Sequence, residues 1–333
     1  MRYGALIGDI AGSRFEGVSN EYFSPVPYSL LKPDDKWYSS DNTDYSGLTL
    51  KGRFTDDSVL TLAVAEAILL HRKTGESLEQ LVIRQLQEKY RAFVSRGFGS
   101  QFGYWACHDE PQPYGSYGNG AAMRISPCAW LAESYEQAIE YARIVTNVTH
   151  NHPDSIWGAE VVVTAIWLLR ETKNKELTAK YLLDKYGLDL DAVHNSEFQI
   201  NCKLAVSLAF KAFMRSEGFN ETIHKAICYG GDTDTLAAIA GSIAEAMYPI
   251  DPDLIQQAEK FFGAEGVSPE WEEPVAMDFC KAFKEWKEPE HQKFSDAFIL
   301  NLKSQLLSNV FKENGKGLFS KLRGLFGNNK EMK

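Results

Sequence analysis

Residues 230–248 read GGDTDTLAAIAGSIAEAMY, an acidic motif that runs directly into an apolar helical pattern. Gly230 and Gly231 allow the backbone to turn tightly just before the helix begins. The apolar residues cover nearly all sides of the helix, which is typical of a helix buried on more than one face. The stretch therefore predicts a buried helix that presents acidic side chains at its first turn.

The same helical spacing of apolar residues recurs along the chain, whereas strand-like alternation is scarce. Helices are predicted over 56–71, 77–94, 134–146, 156–171, 203–215, 219–229 and 236–248. We therefore expect an all-α fold. Two stretches interrupt the helices. Residues 24–52 are rich in Pro, Ser, Asp and Tyr and predict a long loop insertion, and residues 97–121 predict a surface loop lining a pocket.

The motifs that carry chemistry extend from residue 8 to residue 235, so a domain boundary between them would divide one site. Although 333 residues suggest about two domains, we therefore expect a single catalytic domain over 1–312. Residues 313–333 form a different tail. Its Gly and Asn content favours flexibility, while its apolar residues on one helical face favour an amphipathic helix that docks a partner or a membrane surface.

Composition narrows the possible partners and compartment. The net charge of −10 argues against general nucleic-acid binding, because an acidic surface repels the phosphate backbone. The five cysteines are odd in number and show no paired spacing, so neither a disulfide framework nor a zinc cage is indicated. No apolar run reaches the length of a transmembrane helix. We expect a cytoplasmic protein.

A second acidic motif, Thr55-Asp56-Asp57, opens the predicted helix over 56–71. Thr and Asp are favoured helix caps, so capping alone is one interpretation. One cap needs one oxygen, however, and both this motif and Asp232-Thr233-Asp234-Thr235 carry two carboxylates and at least one threonine. Crowded carboxylates repel each other unless cations hold them, and hard oxygen ligands suit Mg²⁺ or Mn²⁺. Two facing motifs therefore predict a metal pair able to activate water.

The sequence resembles the ADP-ribosylglycohydrolase family, and the resemblance spans about residues 1–250. The matching segments are GALIGDIAGSRFEG (4–17), FTDDSVLTLAVAEAIL (54–69), SYGNGAAMRISP (116–127), THNHPDSIWGAEVV (149–162) and GGDTDTLAAIAGSIAEAMY (230–248). The resemblance implies an orthogonal multi-helix fold with a dinuclear Mg²⁺ or Mn²⁺ centre. Its implied ligands are Thr55, Asp56, Asp57, Asp232, Asp234 and Thr235. Thr233, between the acidic ligands, is expected to cap the helix or to support the ligands.

The resemblance also assigns roles beside the metals. It implies that Glu16 handles the proton or positions water, with the metal-bound Asp56 as the alternative. Asp9 is expected to be a structural partner of the same loop.

The glycine-rich loop at 115–120 is implied to hold the diphosphate and the distal ribose, through Gly115, Ser116, Tyr117, Gly118, Asn119 and Gly120. Tyr117 is the candidate for stacking on adenine. His150 is expected near the phosphates, while His152 caps or packs. Arg124 is either a phosphate partner or one half of a core-facing salt bridge.

These expectations give one leading function and three alternatives. The leading function is hydrolysis of the bond at the anomeric carbon of the distal ribose, which releases ADP-ribose from an acceptor, most simply a protein. The alternatives are hydrolysis of a free ADP-ribose derivative, a non-catalytic ADP-ribose-binding protein on the same scaffold, and a metal hydrolase that cuts the diphosphate. For the insertion at 24–52, a solvated spacer and a surface bordering the acceptor side both remain open.

Overall fold

A computed structural model describes residues 2–16, 50, 52–191, 200–262 and 289–312. Every named element within those ranges is helical. Within the same ranges, Gly118 and Asn201 form an isolated antiparallel β-bridge. The all-α fold predicted from the sequence is therefore confirmed. The tail at 313–333 and nearly all of the insertion at 24–52 lie outside the described residues.

The helices of the described residues have the following bounds. In chain order they are α1 Gly4–Gly12, α2 Asp56–Thr74, α3 Leu78–Ala92, α4 Ser100–Ala106, α5 Gly120–Met123, α6 Ser126–Leu131, α7 Tyr135–Asn147, α8 Pro153–Thr172, α9 Lys175–Tyr186, α10 Cys202–Met214, α11 Phe219–Ile227, α12 Thr233–Ala244, α13 Pro252–Phe262 and α14 Asp296–Lys312. A 3₁₀ turn, Ser13–Phe15, follows α1. Across the part of the chain given above, none of these helices is both long and apolar enough to cross a membrane.

The central helix α12 is buried along its whole length, as its apolar surface predicts. It packs against α1, and the two backbones approach each other very closely. A Cβ atom at Gly8 would overlap the carbonyl of Ala237, and one at Gly12 would overlap that of Thr233. Only glycine permits this contact. The close approach brings the end of α1 beside the acidic first turn of α12.

Several helices differ from the sequence prediction, which did not include α1, α4, α5, α6, α9, α13 or α14. The predicted loop at 97–121 contains α4, because Phe102 and Trp105 bury one face of a short amphipathic turn. Helix α9 was not predicted, although Asn174 caps it through a hydrogen bond from the amide of Leu177. Helix α12 begins at Thr233, three residues before the predicted start at residue 236, so Asp234 lies in its first turn and Asp232 is its N-cap.

Candidate active site

The first acidic motif is built on the start of α2 and anchored by α1. Thr55 is the N-cap of α2, and its side chain accepts a hydrogen bond from the amide of Asp57. Asp9 on α1 holds this turn from below: its carboxylate accepts from the Thr55 amide at 2.9 Å and the Thr55 hydroxyl at 2.7 Å. It also accepts from the amide and hydroxyl of Ser58. A buried carboxylate thus fixes the loop-to-helix transition.

The second acidic motif follows a glycine turn and faces the first. Gly230 and Gly231 have φ of +70° and +73°, a conformation that side-chain-bearing residues rarely adopt. Asp232 stands at the N-cap of α12 but makes no side-chain cap hydrogen bond. Thr235 donates to Asp57 Oδ2 at 3.1 Å, so the motifs touch directly. Capping therefore does not account for the carboxylate of Asp232.

Thr233 has a different task from the one expected. Its hydroxyl donates to the carbonyl of Gly12 at 2.9 Å and joins α12 to the end of α1. Asp9 also differs from the expectation, since it lies on a helix and bonds to α2 instead of supporting its own loop. Both residues link elements that are far apart in the chain, which a local motif does not reveal.

Carboxylate oxygens form two close groups within the described residues. One contains Asp9, Asp57 and Asp234, the other Glu16, Asp232 and Asp234, and the oxygens of each group lie within 4.8 Å of one another. Asp234 belongs to both groups. Because four hydrogen bonds already occupy the oxygens of Asp9, we regard Asp9 as a scaffold for the first group.

The oxygen Oδ1 of Asp57 is buried and accepts no hydrogen bond within the described structure. A buried carboxylate oxygen without a hydrogen bond, next to other carboxylates, is a suitable ligand for a divalent cation. Asp56 stands outside both close groups, although it lines the same pocket and is partly exposed. The acidic groups are thus able to hold metal.

Burial governs the electrostatics of these carboxylates. Desolvation, followed by the charges of Asp9 and other neighbours, raises the pKa of Asp56 and Asp57 well above the ordinary value. Desolvation and then Asp57 do the same for the pKa of Asp234. Desolvation and the charge of Asp232 also raise the pKa of Glu16. Without cations the site would retain protons, because like charges in a low-dielectric setting disfavour ionisation.

The glycine loop lines the same pocket as the acidic motifs. Within the loop, the amides of Gly115 and Gly118 donate to Asn151 Oδ1 at 2.8 Å and Ser116 Oγ at 3.1 Å. The amide of Asn119 donates to the carbonyl of Ile200 at 2.8 Å. The loop is therefore held in place largely by hydrogen bonds of its own amides. These three amides are not available to bind a ligand, contrary to the expectation for the whole loop.

Two side chains connect this loop to the rest of the site. The Asn119 side chain donates to Asp232 Oδ2 at 2.6 Å, which joins the glycine loop to the second acidic motif. Tyr117 is 48% exposed, so part of its ring is accessible to a stacking partner. His152 caps α8 by accepting from the amide of Asp154, which agrees with its expected structural role.

One pocket of about 700 Å³ brings these features together. Most of the predicted site residues line this pocket: Glu16, Asp56, Asp57, Gly115, Ser116, Tyr117, Gly118, Asn119, Gly120, His150, Asp232, Asp234 and Thr235. Thr55 is buried and is not among the residues that line the pocket. The sequence did not single out Gln101 or Tyr114, which also line it. Arg124 reaches the same wall and forms no salt bridge within the described structure.

These features define a class of helical proteins. Acidic motifs at the N-termini of two helices and a glycine-rich loop line one pocket. A family model described as ADP-ribosylglycohydrolase matches residues 1–289. The chain belongs to this family and is a glycohydrolase enzyme; the family acts on ADP-ribosylated substrates.

Individual relatives agree with this membership. The chain is 25% identical to human "ADP-ribosylhydrolase ARH3" over 324 residues, covering 77% of this chain and 86% of the relative. It is 31% identical to an uncharacterized protein of Archaeoglobus fulgidus over 278 residues, covering 73% and 85%. A solved "ADP-ribosylglycohydrolase-related protein complex" shares the fold with a TM-score of 0.58 and 21% identity, covering 78% of this chain and 91% of the other.

Proposed function

We propose that the protein removes ADP-ribose from an acceptor by hydrolysing the bond at the anomeric carbon of the distal ribose. The observation that carries the proposal is the direct contact between the two acidic motifs, through Thr235 and Asp57, in a pocket shared with the glycine loop. Cleavage at an anomeric carbon passes through a cation-like sugar, and clustered carboxylates stabilise such a centre. The pocket volume also suits a ligand of this size.

The proposal includes two divalent cations, Mg²⁺ or Mn²⁺. The ligands would be Thr55, Asp56, Asp57, Asp232, Asp234 and Thr235, supported by the orphaned oxygen of Asp57 and the shared position of Asp234. Bound divalent cations would supply positive charge for the ribose hydroxyls and activate water for attack. Asp9 would keep the first motif in place without contacting a cation.

Glu16 is the proposed proton-handling residue. It is exposed at the pocket wall, and its carboxylate lies in the same close group as Asp232 and Asp234. Its raised pKa brings it nearer to the range in which a carboxyl group can both accept and donate a proton. Asp56 is the competing candidate, because it is also partly exposed in the pocket.

The glycine-loop end is the proposed site of the diphosphate and adenine. The amides of Ser116, Tyr117 and Gly120 have no acceptor within the described structure, so they can donate to phosphate oxygens. The exposed ring of Tyr117 offers a face for adenine. His150 lies at the same end of the pocket.

We also propose that residues 1–312 act as one catalytic domain. Its support is that the pocket draws side chains from Glu16 through to Thr235, so that a domain boundary between these residues would divide the site. The proposed location is the cytoplasm, on the basis of the odd number of cysteines and their spacing.

The decisive test is to incubate the protein with ADP-ribosylated arginine, serine and nucleic-acid acceptors and with a free acylated ADP-ribose. Each substrate is tested with Mg²⁺, with Mn²⁺ and with a chelator. Chromatography of the products should show free ADP-ribose only when metal is present. Release of AMP would instead identify a diphosphatase. Turnover of a free acylated ADP-ribose alone would place the acceptor among small molecules, and binding without turnover would reveal a non-catalytic ADP-ribose-binding protein.

A further inference from the structure

A buried chain of three side chains runs behind the glycine loop. Arg124, after α5, is completely buried, and its Nη2 donates to Thr149 Oγ1 at 2.7 Å. Thr149 Oγ1 lies 2.6 Å from His150 Nδ1. Thr149 is also completely buried, and His150 is 6% exposed. The guanidinium, hydroxyl and imidazole are therefore connected in a setting where each proton needs a definite acceptor.

The number of available protons determines which group donates in each of these two hydrogen bonds. The Arg124 guanidinium only donates, so the Thr149 oxygen accepts at that contact. The hydroxyl has one proton, and its remaining partner within the described structure is His150 Nδ1. If Nδ1 carried a proton, the buried hydroxyl would have no acceptor, which is rare in proteins. The arrangement therefore makes Nδ1 an acceptor and leaves the ring proton on Nε2.

The charge of His150 follows from its surroundings. Desolvation, followed by the positive charge of Arg124, lowers the pKa of His150 well below its ordinary value. The ring is consequently neutral at physiological pH, with a proton on one nitrogen only. A neutral ring with Nδ1 engaged is a donor at Nε2.

The Nε2 atom faces the glycine loop. A Cβ atom at Gly120 would lie 3.0 Å from it, and one at Gly118 would lie 3.7 Å away. No residue of the described ranges accepts a hydrogen bond from Nε2, and His150 lines the pocket. The small residues of the loop thus leave room for a ligand atom beside a fixed N–H donor.

Arg124 itself shows that this arrangement is costly. Its Nε and Nη1 are buried and have no partner in the described part of the chain. A guanidinium buried without a paired carboxylate disfavours folding. Its Nη2 nevertheless donates to Thr149 and, at 3.4 Å, to the carbonyl of Val145. Such incomplete pairing is expected where a group serves ligand binding more than stability.

We propose that Arg124 and Thr149 are positioning residues that fix His150 as an Nε2–H donor to an anionic oxygen of the bound ligand. The identity of that ligand, a diphosphate-bearing ADP-ribosyl group, rests on the proposed function. The protonation of the ring does not, because it is set by buried contacts of the ligand-free protein.

The first test measures the ring directly. In the full chain with Mg²⁺ and ¹⁵N-labelled histidine, long-range ¹H–¹⁵N correlation spectra separate the two nitrogens of each ring. A His150→Gln variant assigns the resonances. Wild-type His150 should show a bare Nδ1 and a protonated Nε2 between about pH 6 and pH 8. A proton on Nδ1 in the wild type would overturn the proposal, with no need for any further variant.

Matched variants then test the role of the hydroxyl. Thr149→Val removes it at nearly constant shape and should give a mixture of ring forms, whereas Thr149→Ser keeps it and should retain the wild-type form. Thr146→Val is the control, because the Thr146 hydroxyl is equally buried, lies three residues earlier and has no partner in the described structure. An unchanged His150 spectrum in Thr149→Val would overturn the proposal.

Calorimetric titration with ADP-ribose connects the ring to the ligand. Thr149→Val should weaken binding about tenfold, the scale of one hydrogen bond to a charged oxygen. Thr149→Ser and Thr146→Val should stay within about threefold of the wild type. A changed ring form with unchanged affinity would overturn the donor role. If the wild type fails to bind ADP-ribose, the proposed function fails, while the spectra still decide whether the Thr149 hydroxyl fixes the ring.

Discussion

The acidic motif at the start of α2 and the acidic motif at the start of α12 are held by different partners. Thr55 in the first motif caps its helix and bonds to the buried carboxylate of Asp9. Asp232 in the second motif caps nothing and accepts a hydrogen bond from Asn119 on the glycine loop. The first motif is thus anchored to the helical core, whereas the second is coupled to the loop that faces the ligand.

This difference separates stability from ligand coupling. A change at Thr55 disturbs a helix start and a buried hydrogen-bond network, so it should affect folding. A change at Asp232 leaves the helix cap untouched and should affect the site alone. The two motifs should nevertheless be equally necessary for turnover if both contribute ligands to one metal pair.

The largest expected effect comes from removing one carboxylate charge from either motif. Asp57→Asn and Asp232→Asn should each abolish turnover, because each removes an anionic ligand from the proposed metal pair. Far-ultraviolet circular dichroism should remain helical in both. Asp253→Asn, at an exposed aspartate in the first turn of α13, is the control and should turn over normally. Near-normal turnover in either site variant would break the equivalence of the two motifs.

A smaller loss is expected at Glu16, whose carboxylate lies in one close group with Asp232 and Asp234 of the second motif. Glu16→Gln should lower kcat by roughly 10²–10⁴-fold, the range for loss of a general acid or base. Mn²⁺ affinity, measured by calorimetry, should change little. Glu16→Asp retains the carboxylate at shorter reach and should keep part of the activity. If kcat stays near normal in Glu16→Gln, the proton-handling role passes to Asp56.

The anchoring difference predicts an asymmetry in stability. Thr55→Val should lower the free energy of unfolding by about 2 kcal/mol, because it removes a helix cap and a buried hydrogen bond to Asp9. Asp232→Asn should cause no comparable loss. Urea unfolding in a chelator measures both, and Thr55→Ser should restore most of the lost stability. Equal losses in Thr55→Val and Asp232→Asn would remove the distinction between the motifs.

The helices and the acidic motifs were predictable because their signals are local. Apolar spacing predicted helices α2, α3, α7, α8, α10, α11 and α12, and the excess of carboxylates over capping needs indicated that the motifs would face each other. The direct bond between Thr235 and Asp57 agrees with that expectation. The side-chain roles predicted for the site remain predictions that the variants above test.

The features that the sequence did not predict depend on contacts between segments that are far apart in the chain. Helix α1 contains Gly4, Gly8 and Gly12, which disfavour a helix by intrinsic propensity. Its close packing on α12 overrides that preference and was not readable from residues 4–12 alone. The bond from Thr55 to Asp9, 46 residues earlier, is equally non-local. The same holds for the loop amides, whose hydrogen bonds depend on Asn151 and Ile200.

The smallest expected effect is a pH dependence of metal stabilisation that differs between the motifs. Burial raises the folded-state pKa of Asp9 from 3.8 to about 6, and burial with neighbouring charges raises that of Asp57 well above its ordinary value. A carboxyl group with a raised folded-state pKa stabilises the metal-free protein, and this contribution is complete at pH values below the unfolded-state pKa. That contribution is lost as pH rises through the folded value.

Cation binding has the opposite dependence, since the ligands must be deprotonated. The rise in Tm on adding saturating Mn²⁺ should therefore be larger at pH 7 than at pH 5, by a few degrees in differential scanning calorimetry. Burial raises the pKa of both Asp57 and Asp232. The pKa of Asp57 is raised further by neighbouring charges, whereas hydrogen bonds such as that from Asn119 oppose the rise in the pKa of Asp232. Asp57→Asn should consequently flatten this pH dependence more than Asp232→Asn. A Tm rise of equal size at both pH values would show that these carboxylates are already ionised in the folded protein, and would remove burial as the source of the difference.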